Sequence, residues 1–340
     1  MEHQETSQFV NPVRPKGLLY HYTTLDGLIG ILDTDCLRAT HIRYMNDSKE
    51  FINALEHLDD IVNELPPVLR PGLKSFMSSV LPFIDGRNSA YIISFTDDNA
   101  QQTSPNQCPG DRLSQWRAYS SNGKGVSMGF DYDSIDKSNR GTIWPFRGST
   151  VYFLNCLYTE DEKQRAFKGV GELVAKDFHE YFTRFWPLPL TFMEGAAPPL
   201  TEKCSKLDEV DEIPAIRATL LMGLTINATT FKDNAFNEEK EWRVVVLLSR
   251  HNNADLEKSQ EMPVKFRSGA IGITPYIEFP LELSTPKSPL RRIVVGPAPH
   301  MEQAVKGVEM LLEGKGIRLK RKDFPDGVEV VPSNIPYRNW

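Results

Sequence analysis

The sequence predicts an α+β fold built on a mainly antiparallel sheet. Three observations carry that expectation. Short apolar runs bounded by turn residues read as buried strands, separate blocks show helical periodicity, and the last third closes on a strand–helix–strand pattern.

Leu18 to Thr23 (LLYHYT) reads as the first strand. It runs into Thr24 to Leu32, where Leu25, Leu28, Ile29 and Leu32 fall at helical spacing, Thr24 suits an N-cap and Asp26 suits the first turn. A short strand follows around Leu37 to Thr40. Asn46 or Asp47 then caps a longer helix with Phe51, Leu55, Leu58, Ile61 and Val62 on one face, and Pro66 and Pro67 end it. Gly72 to Ile84 is a further helix, and Ala90 to Thr96 (AYIISFT) a buried strand. Asp97 to Gly110 is polar and turn-rich. Arg112 to Tyr119 makes two helical turns, and the turn Ser121 to Gly125 leads into a strand over Val126 to Phe130.

Val151 to Tyr158 is predicted as a strand and Glu160 to Trp186 as a long helix. The proline-rich stretch Pro187 to Pro199 is irregular, and a helix covers roughly Ile213 to Ala228. After the acidic turn Asn237 to Glu241, Trp242 to Leu248 (WRVVVLL) is the clearest strand signal in the chain. The C-terminal unit reads as strand (Arg292 to Val295), helix (Met301 to Glu313), strand (Ile317 to Lys320). The expected organisation is a polar tail over 1–17 and one α+β catalytic domain over 18–340, with a helical insertion at about 159–230.

A formal charge of −6 gives no bulk attraction to nucleic acid. No stretch is apolar enough for a bilayer, and the polar N-terminus lacks the apolar core of a secretion signal, so a cytoplasmic location away from membranes is expected. Cys36, Cys108, Cys156 and Cys204 lie far apart and read as reduced thiols. Several familiar sites are missing. The GxGxxG pattern beginning at Gly169 fails at Val174, no P-loop or GxSxG elbow appears, and HExxH fails at Thr183. The seven histidines have no ligand spacing, so no metal is expected.

Two segments remain. His21 sits among apolar residues on a short strand that leads directly into a helix. Glu239-Lys240-Glu241 places two carboxylates one residue apart at the mouth of a hydrophobic strand, where alternation would set both on one side. Such a pair suits proton transfer or stabilisation of developing positive charge. Taken singly, a strand histidine is ordinarily structural and EEKE ordinarily a solvated turn.

Together these segments resemble the ADP-ribosyltransferase superfamily. His21 and Thr23 match its first motif, with Tyr22 where many members carry glycine, and Glu239-Lys240-Glu241 resembles its ExE motif. The resemblance implies a split sheet and NAD as substrate. His21 would bind ribose beside Tyr22 and Thr23, Glu241 would be the catalytic glutamate, and Glu239 would engage the acceptor. Ser94 (in Ser94-Phe95-Thr96) or Tyr119, with Trp116 as a second aromatic, would fill the middle motif. Arg43, Arg117 and Arg243 are candidates for the pyrophosphate; the alternative for Arg243 is a pair with Glu241 that makes the glutamate structural.

The chain also resembles, nearly end to end, a bacterial family called domain of unknown function 2971. The residues that carry this are YHYT, Asn46 to Glu50, SFT, Gln115 to Tyr119 with GKGVSMGF, Glu241-Trp242-Arg243 and Val295-Gly296-Pro297. That resemblance implies an effector of anti-phage defence or a toxin–antitoxin system. The expected function is therefore NAD-dependent ADP-ribosyl transfer or NAD hydrolysis. Its acceptor would be a protein or nucleic acid, and its partner an antitoxin or a phage product. The alternatives are a metal-dependent nuclease using Asp97, Asp98 and Asp111, and a non-enzymatic nucleotide-binding sensor.

Overall fold

The fold was described from a computed structural model, which describes residues 14–15, 17–45, 90–97, 108–120, 124–135, 149–166, 168–169, 223, 226–248, 264–269, 272–285 and 288–336. The expected tail up to residue 13, the helices over 46–66 and 72–84, and residues 98–107 of the loop expected over 97–110 lie outside these residues. So do the turn residues 121–123, the proline-rich stretch 187–199, most of the helices predicted over 160–186 and 213–228, Cys204 and Asp98.

The chain forms two compact units. One comprises 1–11, 45–90 and 157–234, the other 12–44, 91–156 and 235–340. The second unit carries a mixed α+β fold in which the ten strands among the described residues make one mainly antiparallel sheet. They are β1 (Leu18–Thr24), β2 (Cys36–His41), β3 (Ala90–Asp97), β4 (Gly125–Asp131), β5 (Ser149–Asn155), β6 (Glu241–Leu248), β7 (Lys265–Gly269), β8 (Gly272–Pro280), β9 (Leu290–Val295) and β10 (Glu329–Pro332). The path runs β10-β9-β4-β1-β3-β2-β8-β7, and β6 joins β5 to β3.

The N-cap of the first helix operates as the sequence implies, but of the four apolar residues at helical spacing Leu25 and Ile29 are exposed. α1 (Leu25–Thr34) starts at Thr24, whose Oγ1 accepts from Gly27 N at 3.0 Å. It buries Leu28, Ile31 and Leu32. Asp35 ends it in the left-handed region (φ 53°), and its carboxylate accepts from Leu283 N at 2.8 Å, which ties the α1–β2 corner to the segment after β8. α2 (Leu113–Tyr119) precedes β4, and α3 (Met301–Gly314) lies between β9 and β10.

The C-terminal unit differs from expectation. Ile317–Lys320 makes only an isolated bridge, Leu319 to Val328, and the strand that completes the unit is β10, parallel to β9 with Val330 opposite Ile293. Three apolar-polar alternations were too short a signal, because a ladder also needs a free neighbouring edge, which β9 offers to 329–332. β7 and β8, which the patterning does not single out, pair as a hairpin at the opposite edge.

Strand alternation gives the sheet two faces. Leu19, Phe95, Met128, Val244 and Ile293 share the main core with the buried face of α1. The opposite face carries Tyr20, Tyr22 and Val294 against Trp116 of α2. Tyr20 is wholly buried there between two glycines. A Cβ on Gly110 (φ +81°) would sit 2.3 Å from its ring, and one on Gly129 2.8 Å.

The described part of the other unit holds a helix start at Glu160. Thr159 and Glu162 form a reciprocal capping box: Glu162 N donates to Thr159 Oγ1 at 3.3 Å, and the Glu162 carboxylate accepts from Thr159 N at 3.0 Å. Leu157 bridges Phe231 in parallel.

Candidate functional site

β3 is the strand on which the candidate site is assembled. It pairs with β1 at Tyr20–Thr96 and Leu19–Asp97, and with β2 at Thr40–Ile92 and His41–Tyr91. Between these two short ladders, the Ser94 carbonyl accepts from His21 Nδ1 at 3.0 Å. β1 stops pairing with β3 after Tyr20 while its pairing with β4 continues to Thr24. His21 therefore stands where two strands part.

A carbonyl can only accept, so His21 Nδ1 carries the proton and Nε2 is left as an acceptor. Burial pushes the His21 pKa below its usual value, against the opposing pull of the Ser94 bond, which keeps the ring neutral at pH 7. The ring lies tilted on Phe95 at 5.8 Å, on the Leu19 face of the sheet. Thr23 is half-buried, and its Oγ1 occupies the space that a Cβ on Gly27 would need.

The two glutamates do not sit on one strand. Glu239 ends a 3-10 turn (Asn234–Glu239), Lys240 has φ +45°, and β6 begins at Glu241. The left-handed residue interrupts the strand that the sequence suggests, so the expectation that both glutamates alternate along one strand is corrected. Asp97 N donates to Lys240 O at 2.9 Å, which sets the start of β6 against the end of β3. Trp242, Val244 and Val246 face the main core, so Glu241 and Arg243 lie on the opposite face, with Ser94 and Thr96. Backbone groups of residues 94 and 97 point to opposite edges of β3, so β1 and β6 flank that strand.

Glu241 and Arg243 are both 4% exposed and form a two-pronged ion pair, Nε to Oε1 at 2.8 Å and Nη2 to Oε2 at 3.3 Å. The fork engages both carboxylate oxygens and fixes the plane of the group. Above this face runs α2. Gln115 Oε1 accepts from Thr96 Oγ1 at 3.3 Å, Tyr119 Oη donates to Glu239 Oε1 at 3.4 Å, and the Arg112 guanidinium donates to the Glu238 carbonyl. The segment carrying Glu239 is thereby tied to α2 at two points.

Ser94, Tyr119, Glu239 and Glu241 thus share one face of the sheet, and His21 reaches it only through the Ser94 main chain. Two expected ligand contacts are corrected. Trp116 has no exposed surface, and its Nε1 donates to Asp111 at 2.7 Å. Tyr22 is 7% exposed, packs edge-on against Trp116 at 4.8 Å, and accepts from Arg112 N at 3.1 Å. Both rings are core. A buried indole or phenol needs a polar partner, and a sequence does not show that the partner already exists. Arg43 lies exposed in the 3-10 turn Ile42–Tyr44 after β2, where its amide donates to His41 Nδ1 at 3.2 Å. Gln115 was absent from the expected site. Its spacing of four from Tyr119, one face of a short helix, is the signal that would have found it.

Asp111 is 1% exposed and its carboxylate is committed three times, to Trp116 Nε1, Ser333 Oγ (2.6 Å) and Asn334 N (2.7 Å). Among the described residues no cluster of His, Cys, Asp or Glu has metal-binding geometry, and no helix is long and apolar enough to cross a membrane.

A family profile described as Protein of unknown function (DUF2971) matches residues 115–244. Over that stretch the chain is similar to the domain-of-unknown-function 2971 family. The DUF2971 match opens on Gln115 of α2, includes Tyr119, Glu239, Glu241 and Arg243, and ends in β6 at Val244. It therefore brackets the α2–β6 part of the site and leaves His21 and Ser94 outside. No curated protein and no solved structure matches the chain.

Proposed function

We propose that this chain is an NAD-dependent ADP-ribosyltransferase, or an NAD glycohydrolase on the same split-sheet scaffold, acting as an effector in anti-phage defence or a toxin–antitoxin system. The observation that carries the reading is the parting of β1 from β3 at His21, with the imidazole fixed as the Nδ1–H tautomer and Nε2 left to accept. That is the protonation state a ribose hydroxyl needs in order to donate. The resemblance of His21-Tyr22-Thr23 and Glu239-Lys240-Glu241 to the superfamily motifs supports the same assignment.

Breaking the nicotinamide–ribose bond builds an oxocarbenium-like cation. A carboxylate facing it lowers the barrier, and loss of one such group costs about 10²–10³ in rate by analogy with oxyanion sites. Glu241 takes this part, oriented by Arg243. Glu239, on the Tyr119 side, faces the acceptor, and Tyr119 replaces Trp116 as the exposed ring. NAD binds through this chain's residues with no metal.

The test is incubation of the purified chain with NAD, following free nicotinamide, beside His21→Ala and Glu241→Gln, with thermal melts of each. Release that both substitutions abolish without unfolding is the expected result. No release together with no NAD binding by calorimetry removes the reading. One observation favours a second reading, a non-enzymatic nucleotide sensor: the Arg243 fork on a buried Glu241. There Glu241→Gln leaves NAD binding intact and wild type releases no nicotinamide.

A further inference from the structure

On the α2 face of the sheet, three side-chain atoms are buried without a hydrogen-bond partner among the described residues: Ser94 Oγ, Ser127 Oγ and Gln115 Nε2. The two hydroxyls are small and can rotate. Gln115 is different. The residue is 3% exposed, and among the described residues its side chain has one hydrogen-bond partner, Thr96 Oγ1. A primary amide has a donor end and an acceptor end, and a single hydroxyl satisfies only one of them whichever way the amide is turned. A methionine of similar length would fill this position with no such penalty. The residue that stands there is polar and half-used.

Its surroundings say what would complete it. Thr96 lies on the same face as Glu241 at the junction of β3 and β6, and Ser94 lies two residues along. A carboxylate only accepts and an amide N–H only donates. On one face of the sheet, they complement a group that does both, which is a hydroxyl. Neither is a cation, so the pair does not suit a phosphate. One turn along α2, Tyr119 is 38% exposed and bonds Glu239, which places the outer end of this polar row at the surface.

We propose that Gln115 is a substrate-contacting residue whose amide donates to a hydroxyl of the nicotinamide ribose of NAD, beside Glu241; this rests on the NAD reading above. Gln115 then selects the hydroxylated sugar, and its unpaired end is satisfied only in the complex.

The experiment is calorimetric titration of NAD, and of its 2′-deoxy and 3′-deoxy nicotinamide-ribose analogues, into wild type, Gln115→Met and the double variant Gln115→Met/Thr96→Val, with thermal melts. The double variant removes both members of the buried bond, so its fold does not depend on leaving Thr96 unpaired. The expected result is NAD binding by wild type, at least tenfold weaker binding by both variants, and a double-variant melting temperature no lower than wild type. One deoxy analogue should bind wild type and variants alike. Equal NAD affinity in wild type and the double variant overturns the proposal and leaves the NAD reading standing. Weakened binding accompanied by a lowered double-variant melting temperature also overturns it, since Gln115 is then a structural group. Absence of NAD binding by wild type overturns both.

Discussion

At the scale of single residues, His21 and the Glu241–Arg243 pair of the candidate site are held in opposite ways. His21 is kept neutral by burial, with its Ser94 bond pulling the other way. Its folded pKa lies below the unfolded value of about 6.5. Below that pH the unfolded chain takes a proton that the folded chain refuses, so stability falls as pH drops from about 6.5 toward the folded pKa, and then levels. Thermal melts between pH 7.5 and 5 should show this fall in wild type and a flatter profile in His21→Gln. A ring whose NMR titration midpoint is at or above 6.5 would contradict it. Glu241 and Arg243, in contrast, are kept charged as a buried pair. Removing one partner strands the other, so Arg243→Met should cost about 3–5 kcal/mol in urea unfolding. The double change Glu241→Leu/Arg243→Met should recover most of that loss, because no uncompensated charge is then buried. Equal losses in the single and double variants would mean that shape, and not charge, governs the site.

At the scale of elements, what was legible in the sequence was what local chemistry decides. Thr24 caps α1 as its hydroxyl and position imply, and AYIISFT and WRVVVLL are strands because their β-branched and aromatic runs fit a sheet buried on both faces. What was not legible depended on three-dimensional pairings and backbone angles that residue names do not show. Trp116 looked like a stacking ring because nothing nearby shows that Asp111 takes its N–H. Glu239 and Glu241 looked like one strand because a left-handed Lys240 is invisible in the residue names, and a lysine there is disfavoured. Ile317–Lys320 looked like a strand because the competing claim of 329–332 on β9 is a tertiary fact. The Thr159–Glu162 capping box is a local device of the legible kind. Burial tends to raise the Glu162 pKa, but bonds from Thr159 N, Thr159 Oγ1 and Tyr158 N outweigh it, and its carboxyl sits below the ordinary value. Its contribution is present above the unfolded pKa of about 4.3 and is lost as pH falls through the folded one. Thr159→Ala should therefore weaken protection of the amides in the helix beginning at Glu160 by about 1 kcal/mol at pH 7 in hydrogen exchange. A change confined to other helices would show that the box does not hold this start.

At the scale of the whole molecule, the sheet is held by pairings between distant parts of the chain, and Asp111 is where one of these is fastened by charge. It receives Trp116 Nε1 from α2, and Ser333 Oγ and Asn334 N from the segment after β10, more than 220 residues along the chain. Its carboxylate thus joins the N-terminal end of α2 to the strand that closes the C-terminal unit, and α2 in turn holds the Glu239 segment through Arg112 and Tyr119. A residue with this duty has little left for a metal ion, so the part that the nuclease reading gives to Asp111 is open to a stability measurement. Bonds to a charged group contribute about 1.5–3 kcal/mol each and are not additive. Asp111→Ala should lower unfolding stability by at least about 2 kcal/mol, and Asp111→Asn by less, since the amide keeps one acceptor oxygen for Trp116 and Ser333. Adding Mg²⁺ should leave the melting temperature of wild type unchanged. A Mg²⁺-dependent rise in wild type that Asp111→Asn removes would instead make this carboxylate a metal ligand, because only an ion bound to the folded state stabilises it by mass action.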